Sequence, residues 1–115
     1  MTTQRINPGP RMSRAVVHGD TVYLAGHVAR DTPGGVRAQT EAVLRAIDAT
    51  LAAAGSDKSK LLSASIWLAD IGTFEEMNAV WDAWIDPANT PARATVEARL
   101  ASPDYLVEIA VVAAR

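Results

Sequence analysis

The sequence contains no cysteine, which excludes a disulfide framework, a thiol nucleophile and a cysteine-ligated metal site. Its two histidines, His18 and His27, lack the close helical spacing of a zinc motif, so we expect no bound metal. Gly34-Gly35 precedes a predicted helix but lacks the lysine of a phosphate-binding P-loop, and no Gly-x-Ser-x-Gly elbow occurs. These absences argue against nucleotide hydrolysis and the common serine hydrolases.

A strong charge and long apolar runs are missing as well. The net charge is −2 and the 11 basic residues are scattered, which argues against nucleic acid or an anionic membrane surface as a partner. The stretch MTTQRINPGPRM has no apolar core like that of a signal peptide, and no run reaches membrane-spanning length. We therefore expect a soluble cytoplasmic protein. The 115 residues, 49% of them hydrophobic, suit one compact domain over residues 1–115.

The spacing of apolar residues predicts the order strand, strand, helix, strand, helix, strand, strand. Residues 1–14 are polar and are expected to form an extended arm, which leads into two strands around a turn at Gly19-Asp20. The first helix is predicted over Val36–Ala54, with Gly55 as its left-handed cap, because an apolar stripe recurs at spacings of three and four. That stripe consists of Val36, Thr40, Val43, Ile47 and Leu51.

The C-terminal half adds three strands and the second helix. LLSASIWLAD is a strand candidate whose first face carries Leu62, Ala64, Ile66 and Leu68. Thr73 and Glu76 match a capping box at the start of the second helix, and Asp86-Pro87 stops that helix. ARATVEARL and YLVEIAVVA are predicted to be adjacent antiparallel strands, joined at the turn signal ASPD.

Two helices can cover only one face of such a sheet, which predicts a two-layer α+β domain with a mixed sheet. The last strand is nevertheless apolar on both faces, with Val107, Ile109 and Val111 opposite Leu106, Ala110 and Val112. Strands of this kind need cover on both sides, so we predict a homo-oligomer. The alternative is a monomer with an apolar surface patch, which is less common among soluble proteins.

One carboxylate, Glu108, interrupts the last strand, and Arg93 stands at the mouth of the preceding strand. If these strands are neighbours, the two side chains come close together. Arg93 could then bind a substrate carboxylate while Glu108 acts as a base toward water. Spacing alone favours a simpler interpretation, a salt bridge that closes the sheet.

Two further polar residues lie at the margins of apolar segments. Asn78 lies one helical turn after Phe74 and three residues before Trp81, where it could bond a ligand or secure a neighbouring loop. His27 follows Gly26 and could line a cleft, although a lone histidine is more often a hydrogen-bonded structural residue. The sequence leaves these alternatives open.

The stretch TPARATVEARLASPDYLVEIAVVAA resembles the signature of the Rid family, the YjgF-like reactive imine deaminases, in which Pro-Ala-Arg is followed further along by Val-Glu-Ile. VVHGDTVYLAGHVA, QTEAVLRAIDATLAAAGS and FEEMNAVWDAW follow the same family order, and the YoaB-like branch is the most similar. The resemblance implies a chorismate-mutase-like fold and a homotrimer with ligand clefts between subunits. It also implies hydrolysis of 2-imino acids or enamines to 2-keto acids and ammonia without any cofactor, as by a 2-iminobutanoate/2-iminopropanoate deaminase.

The same resemblance implies roles for individual residues. Arg93 matches the arginine that grips the substrate carboxylate, and Glu108 matches the acid that positions or activates water. Asn78, Gly26 and the main chain around Thr95 match positions that line the cleft.

The chain departs from the family deaminases at several of these places. Ala25 replaces a hydroxyl residue, His27 replaces a glutamine, and Arg11 or Met12 stands near the place of an N-terminal tyrosine. The departures leave the carboxylate grip intact and change the lining of the cleft. They support an alternative function, a non-catalytic trimeric protein that binds a keto acid or responds to it.

Overall fold

The computed structural model describes residues 2–115 and contains six strands and two helices. The strands are β1 (Thr3–Pro8), β2 (Ser13–His18), β3 (Thr21–Leu24), β4 (Leu61–Leu68), β5 (Ala92–Glu97) and β6 (Val107–Ala114). The helices are α1 (Gly35–Ala53) and α2 (Phe74–Trp84), and a short 3-10 turn precedes both β4 and α2. The polar N-terminal arm thus contributes a strand of its own, one more than the expected order.

All six strands form one sheet in the order β1-β2-β3-β6-β4-β5. Neighbouring strands are antiparallel except β4 and β5, which run parallel. A parallel pair needs a crossover connection, and α2 provides it. The predicted mixed sheet with two helices is confirmed as an α+β fold.

The last two strands run in opposite directions, as predicted, but the prediction that they are adjacent is wrong. β4 lies between β5 and β6, and residues 98–106, which contain the ASPD turn signal, carry the chain past β4. The α2 crossover places β5 on the outer side of β4, so that β6 fills the inner side. That position suits β6, because a strand with apolar residues on both faces is suited to the middle of a sheet.

The core lies between the sheet and the two helices. Every second residue of β6 faces this core and is at most 1% exposed: Val107, Ile109, Val111 and Ala113. The whole predicted stripe of α1 is buried against them, since residues three and four apart share one helix face. The helix begins and ends one residue earlier than expected, and Gly55 has the predicted left-handed conformation with φ of +78°.

Two local predictions were wrong. A register shift between Leu61 and Ser63 turns Leu62 outward, where it is 52% exposed, and Leu61 takes its place in the core. The Thr73 hydroxyl donates to the Asp70 carbonyl and makes no side-chain cap for α2. The 3-10 turn before the helix explains this, because it places Thr73 inside a continuous turn instead of at an extended N-cap.

The sheet face away from the helices carries an apolar surface, which we call the open face. Strand pairing places its members side by side: Val16, Tyr23, Trp67, Val96, Ala110 and Val112. Tyr23 and Val96 are 48% and 51% exposed. Among residues 2–115 no third layer covers this face, as the sequence predicted.

Candidate functional site

Arg93 lies on the edge strand β5 and on the helix side of the sheet, because it pairs with the buried Ala64 of β4. Its guanidinium carbon is 5.3 Å from the centre of the Trp81 ring and 5.9 Å from that of Phe74. Two rings of α2 therefore form an aromatic platform that orients the exposed guanidinium. A planar guanidinium held in this way presents a fork that fits a carboxylate.

Two further polar groups accompany Arg93. Thr95 is two residues along β5 and faces the same side, and Asn78 lies between Phe74 and Trp81 on the same face of α2. The Thr95 Oγ1 and Asn78 Oδ1 atoms are both buried without a hydrogen-bond partner. An unpaired buried polar atom costs about 1–3 kcal/mol, so this cluster favours a ligand that supplies the missing partners. We call Arg93, Thr95 and Asn78 the arginine edge.

Glu108 belongs to the opposite side of the sheet. It pairs with Trp67 and is half-buried on the open face. Its carboxylate packs so closely over Gly26 that a β-carbon on Gly26 would lie 2.1 Å from Oε2. Only glycine at position 26 leaves room for the Glu108 carboxylate in this position.

A β-bulge shapes the chain at Gly26. Tyr23 pairs with Val112, and the next bridge joins His27 to Ile109. The chain takes four steps from residue 23 to 27 but only three from 112 to 109, so the β3 side carries one extra residue. A single extra residue reverses the faces to which later side chains point. Regular pairing would place His27 opposite Glu108 on the open face, whereas the bulge turns His27 toward α1.

His27 consequently lies in the core, with 0% of its surface exposed. Its Nδ1 is 2.7 Å from the Ala25 carbonyl oxygen and its Nε2 is 3.0 Å from Thr50 Oγ1 on α1. Burial lowers the pKa of His27 from its ordinary value of 6.5, so the ring is neutral at pH 7. The expectation that His27 lines a cleft does not fit this position, and the structural alternative does.

Ala25 and Met12 lie near the same end of the sheet. The Ala25 N–H donates to the Arg14 carbonyl, which extends the pairing of β2 and β3 by one residue. Met12 is 52% exposed in the connection between β1 and β2. Neither position carries a hydroxyl group, as the sequence already shows.

The arrangement excludes the salt bridge between Arg93 and Glu108 within one protomer. The two residues lie on opposite faces of the sheet, and β4 separates their strands. Two strand spacings amount to roughly 10 Å, which no direct ion pair can span. A small ligand can contact both groups only if the arginine edge of one protomer lies against the open face of another.

Sequence reasoning identified the polar residues and missed the aromatic platform. In the sequence, Phe74 and Trp81 look like residues that pack on the apolar side of a helix. Their spacing of seven residues sets them on one helix face, together with Asn78. That spacing was the available signal, and it became informative only once β5 was known to lie beside α2.

Residues 2–115 show neither a candidate metal centre nor a candidate membrane-spanning helix. Within residues 2–115, no group of three or more His, Asp or Glu side chains is close enough to hold a metal ion. No helix in the same range is long and apolar enough to cross a membrane.

Comparison with known proteins agrees with the fold and the sequence pattern. A family model described as Endoribonuclease L-PSP matches residues 2–115. A RutC family protein of Haemophilus influenzae is 45% identical over 114 residues, covering 98% of both chains. The RutC family protein YoaB of Escherichia coli is 44% identical over 114 residues, covering 99% of both chains.

Solved structures show the same architecture. A YjgF family member from Neisseria meningitidis superimposes with a TM-score of 0.97 at 44% identity, covering 100% of this chain and 96% of the other. A match over almost the whole length, in both sequence and structure, establishes the family. This chain belongs to the Endoribonuclease L-PSP family, that of the YjgF and Rid proteins.

Proposed function

We propose that this protein hydrolyses reactive 2-imino acids, or their enamine tautomers, to 2-keto acids and ammonia. The observation that carries the proposal is the arginine edge, where an oriented guanidinium accompanies two buried oxygens without partners. A 2-imino acid supplies the complement, because its carboxylate fits the guanidinium and its N–H can donate to Asn78 Oδ1.

The proposed site forms between two subunits of a homotrimer. Arg93 and Glu108 cannot meet within one protomer, and the open face leaves apolar side chains uncovered. Covering that face with the edge of a neighbouring subunit would bury the exposed Tyr23 and Val96. The same contact would bring the neighbour's arginine edge toward Glu108. One subunit contact would thus cover the open face and complete the site.

The residues then divide the chemistry between them. Arg93 binds the carboxylate and fixes the orientation of the C=N bond. Glu108 accepts a proton from water as its oxygen attacks the imine carbon, which yields a carbinolamine. Proton transfer to the nitrogen makes ammonia the leaving group, the C–N bond breaks and the C=O bond of the keto acid forms. One water is consumed for each ammonia released.

RNA cleavage, which the description of the family model names, has less support from these residues. The net charge is −2 and the basic residues are scattered, whereas binding to a phosphate backbone requires clustered cations. One of the two histidines is also enclosed in the core and cannot serve as a general base toward a polynucleotide.

The test is ammonia release from imines generated in situ by an amino-acid oxidase with catalase, measured above the spontaneous rate. We expect Arg93→Ala to lower kcat/KM by about 100-fold or more, and Glu108→Gln to lower kcat by a similar factor. Arg99→Ala is the matched control, since Arg99 is another exposed arginine just beyond β5. Equal rates for the wild type and Arg93→Ala would refute the proposal.

Binding of a 2-keto acid, measured by calorimetry, separates the catalytic from the non-catalytic alternative. Tight binding that requires Arg93, without any acceleration of imine hydrolysis, would favour a binding or regulatory protein. The altered positions Ala25, His27 and Met12 are the features that motivate this second candidate.

Light scattering tests the assembly. We expect a mass three times the 12.2 kDa of one chain. A monomer at micromolar concentration would reject the intersubunit site.

A further inference from the structure

The bulge after β3 leaves the Ala25 carbonyl without a hydrogen-bond partner in the neighbouring strand. His27 and Ile109 exchange both backbone hydrogen bonds, with N–O distances of 2.8 and 3.1 Å. Ala25, two residues earlier, keeps its N–H bond to β2. The Ala25 carbonyl accepts instead from the His27 ring, 2.7 Å away. The side chain of His27 thereby replaces the strand partner that the bulge removes.

The ring is also attached to helix α1. A neutral imidazole carries one proton, and the contact with the Ala25 carbonyl places that proton on Nδ1. Nε2 is then an acceptor, so it receives the Thr50 hydroxyl proton across 3.0 Å. The Thr50 hydroxyl also donates to the Ala46 carbonyl across 2.9 Å, so its one proton is shared between His27 Nε2 and that carbonyl oxygen. The ring therefore connects the bulge to the helix through two directional bonds.

The hydrogen bonds of the His27 ring fix the backbone on both sides of Gly26. This glycine lies between Ala25, whose carbonyl the ring holds, and His27 itself, and its Cα forms the surface under the Glu108 carboxylate. A shift of the bulge would move this surface and change the direction in which Glu108 points. The carboxylate thus depends on a histidine that it does not touch.

We propose that His27, held by Thr50, is a positioning residue for Glu108. In the reaction proposed above, on which this consequence rests, the pair sets the angle from which water reaches the imine carbon. His27 does not contact substrate, and Arg93 lies on the other face of the sheet. Loss of the pair should therefore affect turnover and leave carboxylate binding unchanged.

The kinetic test compares two threonines of α1. Thr50→Val removes a hydroxyl that bonds both His27 and Ala46, whereas Thr40→Val removes one that bonds only the Val36 carbonyl at 2.7 Å. We expect Thr50→Val to lower kcat at least about threefold with KM unchanged, because a small displacement of a catalytic group suffices. Thr50→Ser should restore the rate, and Thr40→Val should retain it. Equal kcat values for Thr50→Val and Thr40→Val would overturn the proposal.

A structural readout makes the inference independent of the reaction. Crystal structures of Thr50→Val and His27→Phe should show the Glu108 carboxylate displaced from Gly26, with Arg93 in its original place. A carboxylate still packed on Gly26 in both variants would overturn the positioning role, whatever the activity. If the carboxylate moves but the wild type does not accelerate imine hydrolysis, the positioning role stands and the proposed function fails. Thr50→Val preserves the test if His27→Phe does not fold.

Discussion

Replacing Gly26 by alanine perturbs the Glu108 carboxylate through a single carbon atom. The added β-carbon would lie 2.1 Å from Oε2, 3.0 Å from Cδ and 3.2 Å from Cγ of Glu108. Real β-carbons essentially never come closer than 3.0 Å to another heavy atom, so Oε2 must move by at least 0.9 Å (3.0 − 2.1). Since these atoms belong to a flexible side chain, we expect the carboxylate to move and the backbone to stay.

We expect Gly26→Ala to change activity far more than stability. A displacement of about 1 Å can cost about 100-fold in rate, equivalent to roughly 2.7 kcal/mol in the activation free energy. Gly26 is not among the residues with positive φ, so its backbone accepts alanine without strain. The lower entropy of the unfolded alanine chain even stabilises the fold by about 0.4–1 kcal/mol. We therefore expect loss of activity with almost no loss of stability.

The assay combines imine hydrolysis with urea denaturation of the same preparation. Gly72→Ala is the control, because its β-carbon would lie 3.1 Å from Asp70 Oδ1, a carboxylate oxygen other than that of Glu108. Wild-type kcat/KM in a folded Gly26→Ala protein would refute the requirement for this carboxylate position. A fall of several kcal/mol in the free energy of unfolding would show that the backbone had moved instead.

Two further predictions concern buried polar groups. Thr95→Val replaces an unpartnered buried hydroxyl with a methyl group of the same shape, so the ligand-free protein should be equally or more resistant to urea. Its Kd for a 2-keto acid should rise, and clear destabilisation would show that the hydroxyl has a partner. Burial lowers the folded-state pKa of His27 below 6.5, so the unfolded chain takes up the proton first as the pH falls. The free energy of unfolding therefore has its full value above pH 6.5. It decreases as the pH falls from there to the folded-state pKa of His27, by up to about 1.4 kcal/mol per pH unit. Urea titrations should lose this slope in His27→Gln and keep it in His18→Gln, and any other pattern contradicts the assignment.

The helices and the core could be predicted from the sequence because their signals are local. The stripe of α1 repeats within a few residues, and Gly55 marks its end through a property of glycine alone. Arg93, Glu108 and Asn78 were also identifiable as polar residues in apolar surroundings. Such residues stand out without any knowledge of their neighbours.

The relations between distant segments could not be predicted in the same way. ASPD looks like a hairpin turn between β5 and β6. It is instead part of a connection that crosses β4, because β6 and not β5 occupies the inner side of β4. The faces of Leu62 and His27 depend on bulges, each of which shifts alternation by one residue. A bulge is defined by two strands together, so neither strand's sequence reveals it.

The central place of β6 has a consequence for how the chain folds. Strands β1, β2 and β3 form one group of antiparallel strands. The parallel strands β4 and β5, joined by α2, form a second group. No strand of the first group pairs with a strand of the second. The inner edges of both groups, at β3 and β4, therefore stay unpaired until residues 107–114 are inserted between them. Closure joins Thr21–Tyr23 to Val112–Ala114, a very long-range contact that is slow to form. Because Glu108 belongs to the inserted strand, the chain gains its central strand and its candidate acid in the same step.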